Sequence, residues 1–342
     1  MKMDREPIGV LSTGLYIPNS FVTSQEIGRL SGLPQDVVEE KLGILRKPVP
    51  GEQDHSCEMG IRAARQAVER AQINPTEIDL VIYIGEEYKE YPVWTASLKL
   101  QQEIGALNAW SFDAALRCCS TVMALNVACS MMRADPSLRT VLLAGGYRNG
   151  DLVDYRNPRT RFLLNLGAGG GAILLRRGLQ RNQVLESHLM TDASLSEDVL
   201  IAAGGTKNPL TAEEIKRGRA CFDVPHPERM KQRLEQSMDR FLTVIRHSLA
   251  KSGVSGRQID YLAVLHMKKS AHDQLLQKLG LDQDNSIYLN EYGHIGQFDQ
   301  ILSLELAAAS GKLKDGDLVV LVSAGIGYAW GATTMKWGEW NE

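Results

Sequence analysis

No stretch of this 342-residue chain reaches the run of about 18 apolar residues that a membrane-crossing helix needs. The opening MKMDREPIGVLSTG carries charges but no apolar h-region, so no secretory signal is read there. Basic residues do not outnumber acidic ones. With 38 Lys and Arg against 41 Asp and Glu the net charge is -3, which excludes the basic field of a nucleic-acid binder and a polybasic membrane patch. Cysteines are few. Cys57, Cys118, Cys119, Cys129 and Cys221 show no metal-site spacing, and an odd, scattered set reads as reduced thiols. The glycines at 167–171 are not followed by Lys and Ser or Thr, so they form no phosphate loop. The expectation is a soluble cytoplasmic protein with no metal, no nucleic-acid partner and no membrane partner.

What is present is an α/β pattern. Continuous apolar runs at 78–84 (IDLVIYI), 140–144 (TVLLA), 259–265 (IDYLAVL) and 318–322 (LVVLV) read as strands buried on both faces. Helices are expected at 24–42 in two pieces, 55–72, 93–104, 228–251, 270–279 and 297–310, with a short strand at 286–289. The second half replays the first. At an offset of 181, QAVERAQINPTEIDLVIYIG falls on HSLAKSGVSGRQIDYLAVLH without gaps, and TVLLAGG is answered by LVVLVSAG. Two matches in the same order argue for an internal duplication of an α/β unit, joined near 176–185. The duplication pairs Gly85 with His266, each just past the C-terminal end of its strand, where open parallel sheets build their sites.

The stretch Phe112–Leu125 (FDAALRCCSTVMAL) passes from a strand-like run at 109–115 into a helical run beginning at Cys118 and Cys119. A thiol at a helix N-terminus meets unpaired N–H groups and partial positive charge, both of which favour thiolate. Taken alone, two adjacent cysteines beside a sheet also fit plain packing. The position of His266 tips the reading toward chemistry.

These residues resemble the thiolase-fold condensing enzymes of the β-ketoacyl-acyl-carrier-protein synthase III type. Phe112, Asp113 and Cys118 fit the family's F-D-x-x-x-x-C turn. LHMKK places His266 at its strand-end histidine, and Gly325-Ile326-Gly327-Tyr328-Ala329-Trp330-Gly331 fits its terminal glycine turn with one glycine changed. EYGHIGQFDQ sets His294 where that family has asparagine, a Cys-His-His set similar to the elongating condensing enzymes. The family's adenine-clamping Trp and Arg correspond to Val37 and Lys41. Glu86, 32 residues before Cys118, resembles the acid/base glutamate of hydroxymethylglutaryl-CoA synthases.

The resemblance implies a thiolase fold, a duplicated αβαβα layering with residues 1–178 carrying the nucleophile and 179–342 the histidines. It implies that Cys118 takes an acyl group from a thioester while Cys119 packs. His266 and His294 would then polarise the carbonyl of a second thioester. The Cys118 and Ile326 amides would form the oxyanion hole, with Glu86 a further acid/base candidate. The implied substrates are acyl-CoA or acyl carrier protein, with no cofactor beyond their pantetheine arm, and the implied assembly is a homodimer. The reaction expected is decarboxylative Claisen condensation to a 3-oxoacyl product. Alternatives are a hydroxymethylglutaryl-CoA-synthase-like condensation without decarboxylation, acyl transfer to an oxygen or nitrogen acceptor, and a non-catalytic scaffold.

Overall fold

The unalternating apolar runs are strands with nearly every residue buried, as a sheet covered on both faces requires. The structure is a computed structural model that describes residues 6–339. The first half runs β1 (Ile8–Tyr16), β2 (Ser20–Thr23), α1 (Ser24–Ser31), β3 (Arg46–Val49), α2 (Ser56–Ala71), β4 (Leu80–Tyr83), α3 (Ala96–Ile104), β5 (Trp110–Asp113), α4 (Ser120–Ala134), β6 (Thr140–Tyr147) and β7 (Gly169–Arg177). The second half runs β8 (Gln183–Thr191), β9 (Leu200–Ile201), α5 (Ala212–Lys216), β10 (Phe222–Asp223), α6 (Pro227–Leu234) and α7 (Ser237–Lys251). It continues through β11 (Tyr261–Val264), α8 (Lys269–Leu279), α9 (Asp299–Ala309), β12 (Leu318–Gly325) and β13 (Ala329–Lys336).

The main sheet has the order β11-β12-β13-β8-β1-β7-β6-β4-β5. At its centre β1 and β8 pair through Gly9 and Gln183 alone, so sets of five and four strands meet at a narrow seam. On either side the pattern is mirrored. β4 lies parallel to β6 and β6 antiparallel to β7, as β11 lies parallel to β12 and β12 antiparallel to β13. The apolar helices α4 and α9 fill the layer between the sets, while α2 covers one outer face and α7 the other. This is the αβαβα layering of a thiolase fold, with two pseudo-symmetric halves. Among the described residues no helix is long and apolar enough to cross a membrane.

Close layering depends on missing side chains at particular points. A Cβ on Gly14 of β1 would lie 1.9 Å from the Ala63 carbonyl oxygen, and one on Gly60 of α2 would lie 2.6 Å from Gly145 Cα. The glycine run entering β7 works in the same way, because a Cβ on Gly170 would strike the Met59 backbone.

Three local expectations change. The helix expected across 228–251 is two, α6 and α7, broken after Leu234. Residues 286–289 form no strand: their stretch is tied to the edge strand β11 by side chains, Ser286 Oγ donating to the Leu262 carbonyl and Asn285 Nδ2 to that of Asp260. The cysteine helix begins at Ser120, because Arg117 adopts φ +52 and turns the chain before the helix starts.

Lys47 of β3 is fully buried, and among the described residues its ammonium has a single hydrogen-bond partner, the Leu166 carbonyl at 2.8 Å, with the Tyr155 ring 5.0 Å away. Burial lowers its pKa to about 7. Between that value and the ordinary lysine value the unfolded chain holds a proton that the folded chain does not, so this group makes stability rise with pH there. Lys47→Met is therefore expected to be more stable than the wild type near neutrality. Its advantage should shrink by up to about 1.4 kcal/mol per pH unit between pH 7 and 9. Urea denaturation of both proteins across that range checks this, and a constant difference would contradict it.

Candidate active site

The turn between β5 and α4 is held at both ends. Asp113 accepts from the Ala96 and Ser97 amides at the start of α3 and pairs with Lys89. The Ser120 hydroxyl receives the Leu116 amide at 2.7 Å and donates to the Arg117 carbonyl. Between these anchors the positive φ of Arg117 presents Cys118, while Cys119 is completely buried against Gly331. Cys118 is 3% exposed and lines a cavity of about 550 Å³ that also reaches Asn165, His266 and His294.

His294 is the imidazole at the thiol. Its Nδ1 is bound by the Asp299 carboxylate, which leaves Nε2 as the nitrogen free to serve the neighbouring Cys118, with whose charge the ring is coupled. Asp299 is wholly buried at the start of α9, and it also accepts from the His266 amide at 2.6 Å and the Ile295 amide at 2.8 Å. Burial alone would lower the His294 pKa, but the Asp299 carboxylate and the Cys118 sulfur outweigh it and raise the value well above the usual imidazole range. Burial holds the Cys118 thiol above its ordinary pKa, with Glu86 adding to the effect and His294 opposing it. Asp299 thus raises the affinity of His294 for a proton while His294 lowers that of Cys118, so the contact favours transfer of the thiol proton to the imidazole.

Glu86 lies two residues beyond Ile84, past the end of β4. Its Oε1 is 3.8 Å from Cys118 Sγ, and its Oε2 accepts from Asn149 Nδ2 at 2.5 Å and lies 3.7 Å from Arg117 Nη1. Burial raises its pKa, against the opposing pull of Arg117 and Asn149. Arg117 pairs more closely with Glu87. Across the centre, Ser323 Oγ donates to the Cys118 carbonyl at 2.7 Å, and a Cβ on Gly325 would lie 3.2 Å from the Cys118 amide nitrogen. Ile326 follows at the end of β12 and lines the same cavity.

The structure therefore brings Cys118, His294 and Glu86 together, with Ile326 alongside. His266 shares their cavity but turns its ring elsewhere. Asn165 Nδ2, a donor, lies 2.9 Å from His266 Nδ1, and His266 Nε2 lies 3.0 Å from the Gly43 carbonyl, an obligate acceptor. The two contacts together fix the neutral Nε2–H tautomer, and burial lowers the ring's pKa to about 4. The ring stacks on Tyr288 at 5.3 Å.

Four residues of this centre escaped the sequence reading: Asp299, Asn165, Asn149 and Tyr147. Tyr147 is buried at the end of β6 with its ring 5.9 Å from that of His294, and burial together with the nearby Cys118 pushes its pKa up. Asn165 holds both histidines, since its carbonyl accepts the His294 amide at 2.8 Å. Only Asp299 left a trace, an acidic residue in the local run HIGQFD; the others follow strand ends or loops without a motif.

The tautomer is directly measurable. Long-range ¹⁵N–¹H correlation spectra of histidine-labelled protein at pH 7 are expected to show His266 in the Nε2–H form. In Asn165→Leu that form should give way to a mixture. An Nδ1–H pattern in the wild type would refute the hydrogen bonding described.

With the geometry described, comparison with known proteins gives a consistent outcome. Two family profiles match, 3-oxoacyl-[acyl-carrier-protein] synthase III over residues 112–193 and its C-terminal domain over 249–337. The β-ketoacyl-[acyl-carrier-protein] synthase III of Clostridium acetobutylicum is 26% identical over 331 residues, covering 96% of this chain and 98% of that protein. The one from Symbiobacterium thermophilum is 25% identical over 343 residues, 98% of this chain and all of the other. Among solved structures, the 3-oxoacyl-(acyl carrier protein) synthase III of Pseudomonas aeruginosa superposes with a TM-score of 0.83 at 20% identity, covering 97% of this chain and 98% of that one. The chain belongs to the thiolase-fold family of 3-oxoacyl-[acyl-carrier-protein] synthase III-like condensing enzymes.

Proposed function

We propose that this protein is an acyl-transferring condensing enzyme whose acyl group is carried on Cys118. The observation that carries this reading is a buried thiol that lines one cavity with a histidine whose Nδ1 is bound by a buried carboxylate. In the first step His294 takes the Cys118 proton, Sγ attacks the thioester carbonyl, and the carrier's thiol leaves with that proton. The Cys118 and Ile326 amides would receive the developing oxyanion. Arg161, Lys231 and Lys268 line the cavity and suit the phosphate of a pantetheine arm, whether on coenzyme A or on an acyl carrier protein.

In the second step a malonyl-type thioester loses carbon dioxide, and the electrons of the broken C–C bond form an enolate. The enolate attacks the acyl carbonyl on Cys118 and expels the thiolate, giving a 3-oxoacyl product. His294, having taken up a proton from solvent at Nε2 after the first thiol departs, as its raised pKa favours, would donate to the enolate oxygen, and His266 could join it only by giving up its contact with Gly43. One observation favours a second reading. A carboxylate 3.8 Å from Sγ can instead remove a proton from the carbon beside a thioester, which makes the enolate without decarboxylation.

Intact mass measurement is expected to find an acyl adduct on the wild type and none on Cys118→Ala; an adduct persisting in the variant would sink the nucleophile assignment. Labelled carbon dioxide released in step with product supports the decarboxylative form. Product without release, lost by two or more orders of magnitude in Glu86→Gln, supports the other.

The assembly proposed is a homodimer. β5 is an edge strand with an open hydrogen-bonding side, and Trp110, Leu107 and Val93 are exposed around it. An apolar edge of this kind invites pairing with a second copy. Sedimentation equilibrium is expected to give twice the chain mass for the wild type, and the chain mass for Trp110→Lys.

A further inference from the structure

Strand β3 runs beneath the junction of the two loops that hold the histidines. Its Pro48 carbonyl accepts the Ala168 amide at 3.1 Å, and just before its other end the Leu45 amide donates to the Asn290 carbonyl at 2.9 Å. The loops themselves are laced together at the centre: the Asn165 carbonyl accepts the His294 amide and the His294 carbonyl accepts the Gly167 amide, both at 2.8 Å. Leu166 lies between those two bonds, and its own carbonyl accepts from Lys47 Nζ at 2.8 Å. The 290–294 loop also rests on Lys47, because Gly293, at φ +59, approaches so closely that a Cβ there would lie 3.1 Å from Lys47 Cβ.

A lysine at this position works against stability. Lysines are almost never fully buried without a paired charge, and here burial acts on the amine with no acidic group to offset it among the described residues. A methionine would fill similar space with no charge to desolvate. What methionine would not supply is a donor. The Leu166 carbonyl would be left unpaired in the interior, and a buried carbonyl without a partner draws its loop toward water or another donor. Charged or neutral, the amine keeps N–H groups to give, so the bond survives titration of Lys47. A residue that opposes stability while bracing the backbone of a site is the local inconsistency expected where function demands it.

We propose that Lys47 is a positioning residue for the Cys118–His294 pair and for His266, acting through the Leu166 carbonyl. The inference rests on the reading that His294 serves Cys118 as its base. Lys47 lies behind the cavity wall, which Asn165 and Leu166 form at this point, so it does not touch the substrate. Its bond fixes the 165–167 backbone, and two lines of contact run from there into the centre. Asn165 Nδ2, 2.9 Å from His266 Nδ1, sets the tautomer of that ring. The Asn165 and Gly167 backbone grips His294 on both sides of its Cα, so the ring, tied at Nδ1 to Asp299, keeps its place beside Cys118. Loss of the Lys47 donor lets the 165–167 segment relax, and both imidazoles lose their supports together.

The test compares Lys47→Met with Lys47→Gln, which keeps a donor at nearly the same reach. Alkylation of Cys118 by iodoacetamide is followed by peptide mass across the pH range 6 to 10. In Lys47→Met it is expected to be about tenfold slower at pH 7, with its profile displaced upward by about one pH unit, because a displaced imidazole no longer favours the thiolate. Lys47→Gln should recover most of the wild-type rate. In the ¹⁵N–¹H spectra His266 should become a mixture of tautomers in Lys47→Met and stay Nε2–H in Lys47→Gln. Urea denaturation of the same samples separates these effects from loss of fold, since Lys47→Met is expected to be the more stable protein. Wild-type behaviour of Lys47→Met in either readout overturns the inference, and so does equal slowing in both variants, which would make Lys47 a packing residue alone. Failure of the wild type to form an acyl adduct, with both readouts shifted as expected, overturns the nucleophile assignment and leaves the role of Lys47 standing.

Discussion

The Asp299 carboxylate is the interaction on which the centre depends. One buried group binds the His294 ring, the His266 amide and the Ile295 amide, joining the end of β11, the loop that follows residue 290 and the start of α9. A buried carboxylate is costly to desolvate, and these partners offset the cost by satisfying its lone pairs. Its position at a helix start adds the favourable field of the α9 backbone. The negative charge acts beyond its own contacts. It strengthens the imidazole that faces Cys118, and it fixes which His294 nitrogen is free to do so.

The two histidines illustrate how similar residues in one cavity acquire different properties. His294 meets a carboxylate, and its ring is made more basic. His266 meets an amide donor and a carbonyl acceptor, and it is held neutral with its proton directed at Gly43. The family resemblance implied that both donate to the same carbonyl. The difference arises from Asn165 and Asp299, which lie on separate segments and impose opposite requirements on the rings they touch.

Much of the fold was legible because doubly covered strands lose their alternation and become conspicuous apolar runs. The Ile-Asp pair recurring at 78–79 and 259–260 exposed the duplication, and the mirrored strand order around the β1–β8 seam has the corresponding strands β4 and β11 at matching places. The Phe112–Cys118 turn was legible because its motif is local. The segment from 195 to 225 was not, since two-residue strands and a five-residue helix leave no periodicity to detect. Asn149 and Asn165 were hidden for a different reason. A neutral amide carries no charge signature, and its importance depends on partners 63 and 101 residues away in the chain.

The placement of the centre also bears on how the chain folds. Its groups come from Glu86, Cys118, Tyr147, Asn165, His266, His294 and Ile326, and the last of these enters only with β12, near the end of the chain. Contacts of such sequence separation close large loops and form slowly compared with helices and hairpins. During synthesis the thiol emerges long before the strand that screens it. Until β12 and β13 dock beside β8, the segment bearing Cys118 and Cys119 lacks the Gly325 and Gly331 backbone that packs against it. The nascent chain therefore passes through a stage in which two adjacent thiols are open to solvent, and completion of the last hairpin is what separates them into one that faces the cavity and one that is sealed in the core.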